Sequence, residues 1–174
     1  MFPAAQTNRS KERLWGEKAK LTDDILQKDE SRDNSIRVDL VRSWQEEEIV
    51  DLYRAAGWWK EDMDASRIND LIRGSFLFAV AIDISTGRAV GMGRVISDGI
   101  ADAYIQDLVV QGDKRSWGVG KMILNRLLEE CRFQKITWIG LIAKPGKEEF
   151  YRSQGFAPMP GHVPMLFHEE AKGC

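Results

Sequence analysis

The segment between residues 112 and 121 combines basic side chains with two glycines in a way that suits anion binding. It contains Lys114, Arg115, Gly118 and Gly120, and it joins a predicted strand to a predicted helix. The first amides of a helix have no acceptor within the helix, and the helix dipole adds partial positive charge there. Phosphate groups bind readily at such a helix start, and glycine permits close approach because it has no Cβ. We therefore predict a phosphate-bearing ligand at this turn; the alternative is that the glycines only shape the start of a helix.

Two known glycine motifs do not fit this turn. A dinucleotide-binding fingerprint would need glycine at position 123, where the chain has Ile123. A P-loop would need serine or threonine after Gly120 and Lys121, but Met122 follows them. What remains is the pattern Arg115-x-x-Gly118-x-Gly120 at a junction between strand and helix.

Length and composition indicate one globular domain. The chain has 174 residues, of which 43% are hydrophobic and 30% are charged. A chain of this length can bury one substantial core. Residues 1–33 are polar, mix both charge signs and show little periodicity, so we predict a polar N-terminal extension there. The domain is predicted to cover residues 34–170.

Charge and cysteine content disfavour several classes of function. The net charge of −2 gives no reason to expect attraction to nucleic acid or to a membrane surface. No apolar run has the length of a membrane span, and the N-terminus does not resemble a secretory leader, so a cytoplasmic location is expected. Cys131 and Cys174 support neither a disulfide framework nor a zinc site, and we expect no metal.

Hydrophobic periodicity predicts alternating strands and helices. Strands are expected at 36–40, 76–82, 89–96, 103–110 and 136–142, and a last pair of strands within 155–167. Helices are expected at 43–56 (begun by Ser43 with Glu46 at the capping-box spacing), 65–72, 118–133 and 146–154. This order predicts a mixed α/β sheet with helices on both faces.

Several motifs in this order resemble the GNAT superfamily of N-acetyltransferases. The Arg-x-x-Gly-x-Gly turn is similar to that family's acetyl-coenzyme A signature, and segments 91–99, 104–110 and 150–156 resemble its third strand, fourth strand and closing motif. The resemblance covers about 36–167. It implies an α+β fold with a mostly antiparallel sheet of six to seven strands, splayed between the fourth and fifth strands.

The resemblance also implies where acetyl-coenzyme A (acetyl-CoA), the expected co-substrate, binds. In the family, pantetheine lies between the splayed strands and pairs with the fourth strand, whose N–H groups can stabilise an oxyanion. Lys147 would contact a phosphate, or it is an exposed lysine at a helix start. The resemblance assigns these residues to the coenzyme: Leu108, Val109, Val110, Lys114, Arg115, Ser116, Trp117, Gly118, Val119, Gly120, Lys121, Lys147 and Phe150.

The same resemblance suggests the proton-transfer groups. Tyr151 matches the family's tyrosine near the coenzyme sulfur and is our predicted general acid; the alternative is that it only packs a helix on the sheet. Some relatives have Glu-Asp where this chain has Gln106-Asp107, and a neutral amide is no useful base. Asp107 is therefore the predicted base, a charge partner for a cationic substrate, or a structural carboxylate. Because strand residues alternate between faces, we expect only one of Gln106 and Asp107 to face a given cleft.

The acceptor pocket of the family is built partly by the loop between the first two helices. Here that loop contains Trp58, Trp59, Glu61, Asp62 and Asp64. Aromatic faces beside carboxylates would suit an ammonium group; the alternative is one core tryptophan and a solvated acidic loop. We assign four residues to the acceptor side: Trp58, Trp59, Arg94 and Gln106.

These observations predict an enzyme that transfers the acetyl group of acetyl-CoA to a primary amine of a small molecule or peptide by direct attack. Arg94 could instead bind a carboxylate on the acceptor, which leaves the acceptor's charge open. A homodimer is possible because dimers are common in the family. Two other hypotheses remain: a non-catalytic acyl-CoA sensor, favoured by Gln106, and an interaction module in which the glycines only shape a turn.

Overall fold

The computed structural model describes residues 35–167, so the predicted extension at 1–33 lies outside the described residues. This part of the chain folds as one sheet with helices on both sides. The five strands are β1 (Ile36–Leu40), β2 (Leu77–Asp83), β3 (Ala89–Ser97), β4 (Asp102–Val110) and β5 (Trp138–Leu141). The helices are α1 (Glu46–Ala55), α2 (Ile68–Gly74), α3 (Val119–Phe133) and α4 (Glu148–Arg152).

The strands lie in the order β1-β2-β3-β4-β5. The first four are antiparallel neighbours, and β5 runs parallel to β4. Pairing between β4 and β5 extends only from Asp102 opposite Trp138 to Ile105 opposite Leu141. Since β4 continues to Val110, its last residues have no strand partner on that side within residues 35–167, and the predicted separation of the fourth and fifth strands is present.

Residues of β2 alternate between the two cores. Leu77, Ala79 and Ala81 belong to the core beneath α3, while Phe78 and Val80 belong to the core beneath α1 and α2. Every residue of β2 is buried. A strand that is covered on both faces has a continuous apolar sequence rather than an alternation of apolar and polar residues. The predicted mixed α/β class with helices on both faces is therefore confirmed.

Two details differ from the sequence-based expectation. Within residues 35–167 the sheet has five strands instead of six or seven, because the segment 155–167 forms no strand. Three prolines in that segment lack the N–H that a ladder requires, which disfavours pairing. Helix α1 also begins at Glu46 after Gln45, without a side-chain cap from Ser43. Instead, the Asn69 side chain of α2 accepts from the Trp44 amide at 3.0 Å and donates to Glu46 at 3.1 Å.

A salt bridge connects the turn after β4 to the end of β2, two strands away in the sheet. The ammonium of Lys114 lies 2.6 Å from a carboxylate oxygen of Asp83 at the end of β2, and both side chains are largely buried. This contact, together with Ser85, lowers the pKa of Asp83 to about 2. The Lys114 ammonium also lies 4.4 Å from the ring centroid of Trp117. The turn that precedes α3 is thereby tied to the end of β2.

Gly91 of β3 lets the sheet pack closely, which gives a test of the fold. A Cβ there would lie 2.9 Å from the Val109 carbonyl oxygen and 3.0 Å from Cδ1 of Ile123. We expect Gly91→Ala to lower the free energy of unfolding by about 1–3 kcal/mol, because overpacking forces the β4 backbone to shift. Denaturant titration followed by circular dichroism would measure it.

Gly74→Ala is the matched control for this substitution. No heavy atom outside its own helix lies within 4 Å of a Cβ at Gly74. Its substitution should not destabilise the protein and should stabilise it by up to about 1 kcal/mol, because alanine is the better helix former. Equal destabilisation by both variants would contradict the close packing at Gly91.

Candidate active site

A cavity of about 820 Å³ opens where β4 and β5 separate. Its walls come from both strands, from the turn before α3, from the start of α4 and from the end of α1 with the residues that follow. The lining residues are Ala56, Trp58, Tyr104, Ile105, Gln106, Asp107, Leu108, Val109, Val110, Lys114, Arg115, Ser116, Gly118, Val119, Gly120, Lys121, Leu141, Ile142, Lys144, Lys147, Phe150 and Tyr151.

The turn before α3 presents its backbone to one end of this cavity. Ser116 and Gly118 both have positive φ values, 64° and 78°. Gly118 is the residue before the helix, and no side chain caps it. The amides of Val119, Gly120 and Lys121 therefore have no acceptor within the helix. An anion at this position would receive several N–H groups together with the favourable end of the helix dipole.

The cations predicted at this turn have different positions and partners. Arg115 donates from Nε to the Val110 carbonyl at 3.2 Å, which ties the turn to the end of β4. Lys114 lines the cavity, but its ammonium is bound to Asp83. Lys121 and Lys147 also line it. Trp117 does not, so of the residues assigned to the coenzyme it alone lies away from the cavity wall.

A β-bulge at Asp107 changes which side chains face the cavity. Arg94 pairs with Gln106 and Met92 with Val109, so β4 has one more residue than β3 between these pairs. Asp107 has a φ of 55°, in the left-handed region. The strict alternation that we expected fails here because a bulge inserts an unpaired residue. Gln106 and Asp107 both line the cavity, and Arg94 contacts both of them.

The Asp107 carboxylate is held by one residue of β3 and one residue of α1. One oxygen, Oδ2, accepts from Arg94 Nε at 2.5 Å and from the Tyr53 hydroxyl at 2.7 Å. Burial and the neighbouring carboxylate raise the pKa of Tyr53 far above its usual value, so Tyr53 stays a donor. Among residues 35–167 no hydrogen bond uses the other oxygen, Oδ1. Arg94 itself does not line the cavity, so its predicted contact with an acceptor has no support in this arrangement.

Tyr151 lines the cavity from the side of α4. Its ring lies between Phe150 and Phe156, with centroid distances of 5.0 Å and 6.0 Å. Burial raises the pKa of the phenol above its ordinary value, so the hydroxyl remains protonated at neutral pH. The hydrogen bonds within the described chain do not include this hydroxyl. It is therefore a proton donor whose partner would come from a bound molecule or water.

The aromatic loop after α1 contributes one of its two tryptophans to the cavity. Trp58 lines it, whereas Trp59 packs against Tyr53 with 6.5 Å between ring centroids. The acidic residues of the loop do not line the cavity. Asp64, for example, accepts from the Ser66 amide at the start of a short 3-10 turn. Glu61, Asp62 and Asp64 are all exposed, so the arrangement fits the alternative of a solvated acidic loop and not a cage of carboxylates around an ammonium group.

The cavity also contains residues that the sequence did not indicate. Tyr104 lies two positions before Gln106 on the same strand face, so the period of a strand could have predicted it. Lys144 had no such signal. Its ammonium lies 4.9 Å from the ring centroid of Trp58, and this contact depends on how the loop after β5 meets the loop after α1.

Two further properties concern the described part of the chain. In residues 35–167 no group of three or more His, Cys, Asp or Glu side chains is arranged to hold a metal ion. No helix in that range has the length and apolar character required to cross a bilayer.

Known proteins share both the sequence pattern and the fold. An uncharacterized N-acetyltransferase (ycf52) of Porphyra purpurea is 30% identical over 120 residues, which is 69% of this chain and 69% of that protein. Serotonin N-acetyltransferase 2 of Oryza sativa subsp. japonica is 36% identical over 79 residues, 45% of this chain and 40% of the relative. A probable acetyltransferase from Staphylococcus aureus has the same fold, with a TM-score of 0.65, 20% identity and coverage of 77% of this chain and 98% of that one.

The similarity extends over most of the described chain. The family model for the acetyltransferase (GNAT) domain matches residues 40–163, which includes the basic turn, the bulged strand and Tyr151. The chain is thus an acyltransferase that belongs to the GNAT acetyltransferase family.

Proposed function

We propose that the protein transfers the acetyl group of acetyl-CoA to a primary amine by direct attack, with both substrates in the cavity between β4 and β5. One observation carries the proposal: the uncapped basic turn, the unpaired edge of β4 and the Tyr151 hydroxyl all belong to the same cavity. Each of these three features fits a different part of the thioester coenzyme.

The coenzyme's phosphates would bind at the turn. The free amides of Val119, Gly120 and Lys121 provide donors at the positive end of α3. Arg115 and Lys147 supply charge without a carboxylate partner among the described residues. The pantetheine arm would then extend along the unpaired edge of β4, where backbone N–H and C=O groups are available as in a strand pair.

Acetyl transfer forms a C–N bond and breaks the C–S bond of the thioester, so the departing thiolate needs a proton. Tyr151 is suited to give it, because its raised pKa keeps the phenol protonated and its hydroxyl has no competing bond within the described residues. The N–H groups of the open β4 edge can stabilise negative charge on the acyl oxygen. These donors are fixed before the reaction, so they need not reorganise.

The attacking amine must also lose a proton. Asp107 is suited to accept it through Oδ1, directly or by way of water, because Oδ2 is already held by Arg94 and Tyr53. That pair would orient the carboxylate toward the cavity. The neutral Gln106 beside it can bind the acceptor but cannot take up the proton usefully.

The acceptor would lie on the α1 side of the cavity, against Trp58 and Tyr104. A flat, partly apolar amine fits two aromatic walls. The name of the rice relative, a serotonin N-acetyltransferase, is consistent with an acceptor of this shape. The predicted homodimer and the predicted cytoplasmic location stay predictions.

The direct test is release of free thiol from acetyl-CoA in the presence of a broad panel of primary amines. Turnover that depends on an amine, with the N-acetyl product identified by mass spectrometry, would support the proposal. Binding of acetyl-CoA without thiol release for any amine would favour the non-catalytic sensor. Absence of binding would contradict both.

Tyr151→Phe should separate chemistry from binding. We expect kcat to fall by about 100-fold or more, which is typical of the loss of a general acid. The affinity for acetyl-CoA, measured by calorimetry, should change little because the ring contacts with Phe150 and Phe156 remain. Wild-type turnover in the variant between pH 6 and pH 9 would remove Tyr151 from the mechanism.

Gly118→Val should weaken coenzyme binding at the turn. Gly118 has a φ of 78°, and a side chain in that region is strained by about 1–2 kcal/mol. The backbone would relax and move the amides away from the phosphate, so we expect the affinity for acetyl-CoA to fall at least about tenfold, or 1.4 kcal/mol. Gly112→Val is the control, since Gly112 lies in open space near the same turn but does not line the cavity. Equal affinities in the two variants, with both folded, would refute this placement.

A further inference from the structure

The side chains of the acceptor half of the cavity share one face of the sheet. We define this half as Trp58, Tyr104, Gln106, Asp107 and Lys144. Tyr104 and Gln106 alternate along β4 with residues that are buried beneath α3, so they point to the opposite side, toward α1. Asp107 points the same way because of the bulge, and Trp58 packs there against the Tyr53 ring at 6.3 Å.

Lys144 belongs to this half and not to the phosphate-binding turn. Its ammonium lies over Trp58, which packs at the Tyr53–Asp107 end of the open strand edge. The turn lies at the other end, where Arg115 binds the Val110 carbonyl. The strand between Gln106 and Val110 spans roughly 10 Å or more. A coenzyme whose phosphates occupy the turn therefore leaves Lys144 to the second substrate.

The net charge of this half is positive, because the negative charge of Asp107 is balanced by Arg94. Among the lining residues of the described chain, Asp107 is the sole carboxylate, and the guanidinium of Arg94 is bound to it. Lys144 has no carboxylate partner in the described range. Its contact with the Trp58 ring leaves N–H donors that point away from the ring free to bind an anion.

A positively charged site can accept an amine if the amine is in its neutral form. A nearby positive charge disfavours the ammonium form, so Lys144 favours the neutral amine that can attack the thioester. A second, anionic group on the acceptor would offset the unpaired lysine. We propose that the acceptor is an amine that also carries a carboxylate or phosphate group, and that Lys144 binds this group beside Trp58. This inference rests on the proposed function.

The test compares acceptors that differ only in the anionic group. One pair is 4-(aminomethyl)benzoate and 4-(aminomethyl)benzamide; the other is 4-(aminomethyl)phenyl phosphate and 4-(aminomethyl)phenol. The kcat/KM of each amine is measured by thiol release at saturating acetyl-CoA. We expect the wild-type protein to prefer the anionic member of at least one pair by about tenfold or more, equivalent to 1.4 kcal/mol. The pair that shows the preference identifies carboxylate or phosphate as the source.

Two substitutions at Lys144 assign the preference to this residue. Lys144→Gln should lower the ratio of anionic to neutral kcat/KM at least about tenfold, and Lys144→Glu should make the neutral amine the better acceptor. Lys147→Gln is the matched control, since it removes the same charge from the same loop. It should leave the ratio unchanged, while any effect should fall on the KM for acetyl-CoA. Lys144 is exposed, so these variants should fold, which thermal melting would verify.

Three results would overturn the inference. The wild-type protein could use the neutral member of both pairs as well as the anionic one. Lys144→Gln could leave the ratio unchanged. It could instead raise only the KM for acetyl-CoA, which would assign Lys144 to the coenzyme. If no amine at all releases thiol, the proposed function itself has failed, and this inference fails with it.

Discussion

The loss of pairing between β4 and β5 is the constraint on which the candidate site depends. Beyond Ile105 and Leu141 the two strands no longer share hydrogen bonds, although β4 continues to Val110. A strand edge inside a protein leaves backbone donors and acceptors that need partners. Here they face a cavity instead of a further strand. The gap in the sheet is thus the surface to which we propose that the coenzyme binds, and the turn before α3 closes one end of it.

The bulge at Asp107 is the second departure from a regular sheet, and the surrounding side chains stabilise it. A φ of 55° is unfavourable for a residue with a Cβ, although aspartate tolerates this region better than most. Arg94 and Tyr53 both bind the Asp107 carboxylate and so hold the residue in this conformation. The geometry that strains the backbone also places Gln106 and Asp107 on one face. In a regular strand these two side chains would project to opposite faces of the sheet.

Much of this arrangement could be predicted from the sequence, for local reasons. The periodicity of residues 89–110 and 119–133 fixed β3, β4 and α3 to within a residue or two, and the Arg115 to Gly120 spacing located the turn. The bulge could not be predicted, because its signal is a count of residues on two paired strands. The same holds for the partner of Lys114, since Asp83 is distant in sequence. The predicted pair of strands at 155–167 was wrong for a different reason. The apolar residues of that segment suggested strands, but its prolines lack the N–H that strand pairing requires.

The two halves of the cavity differ in how much family membership says about what each half binds. The half that we propose for the coenzyme consists largely of backbone groups, at the turn and along β4, and different side chains can present the same backbone groups. The acceptor half consists of side chains from two loops, and Trp58 and Lys144 meet only because those loops meet. Membership of the family therefore supports an inference about the donor substrate better than an inference about the acceptor. The charge of the acceptor has to be read from this chain's own contacts, in which Arg94 neutralises Asp107 and Lys144 has no carboxylate partner in the described range.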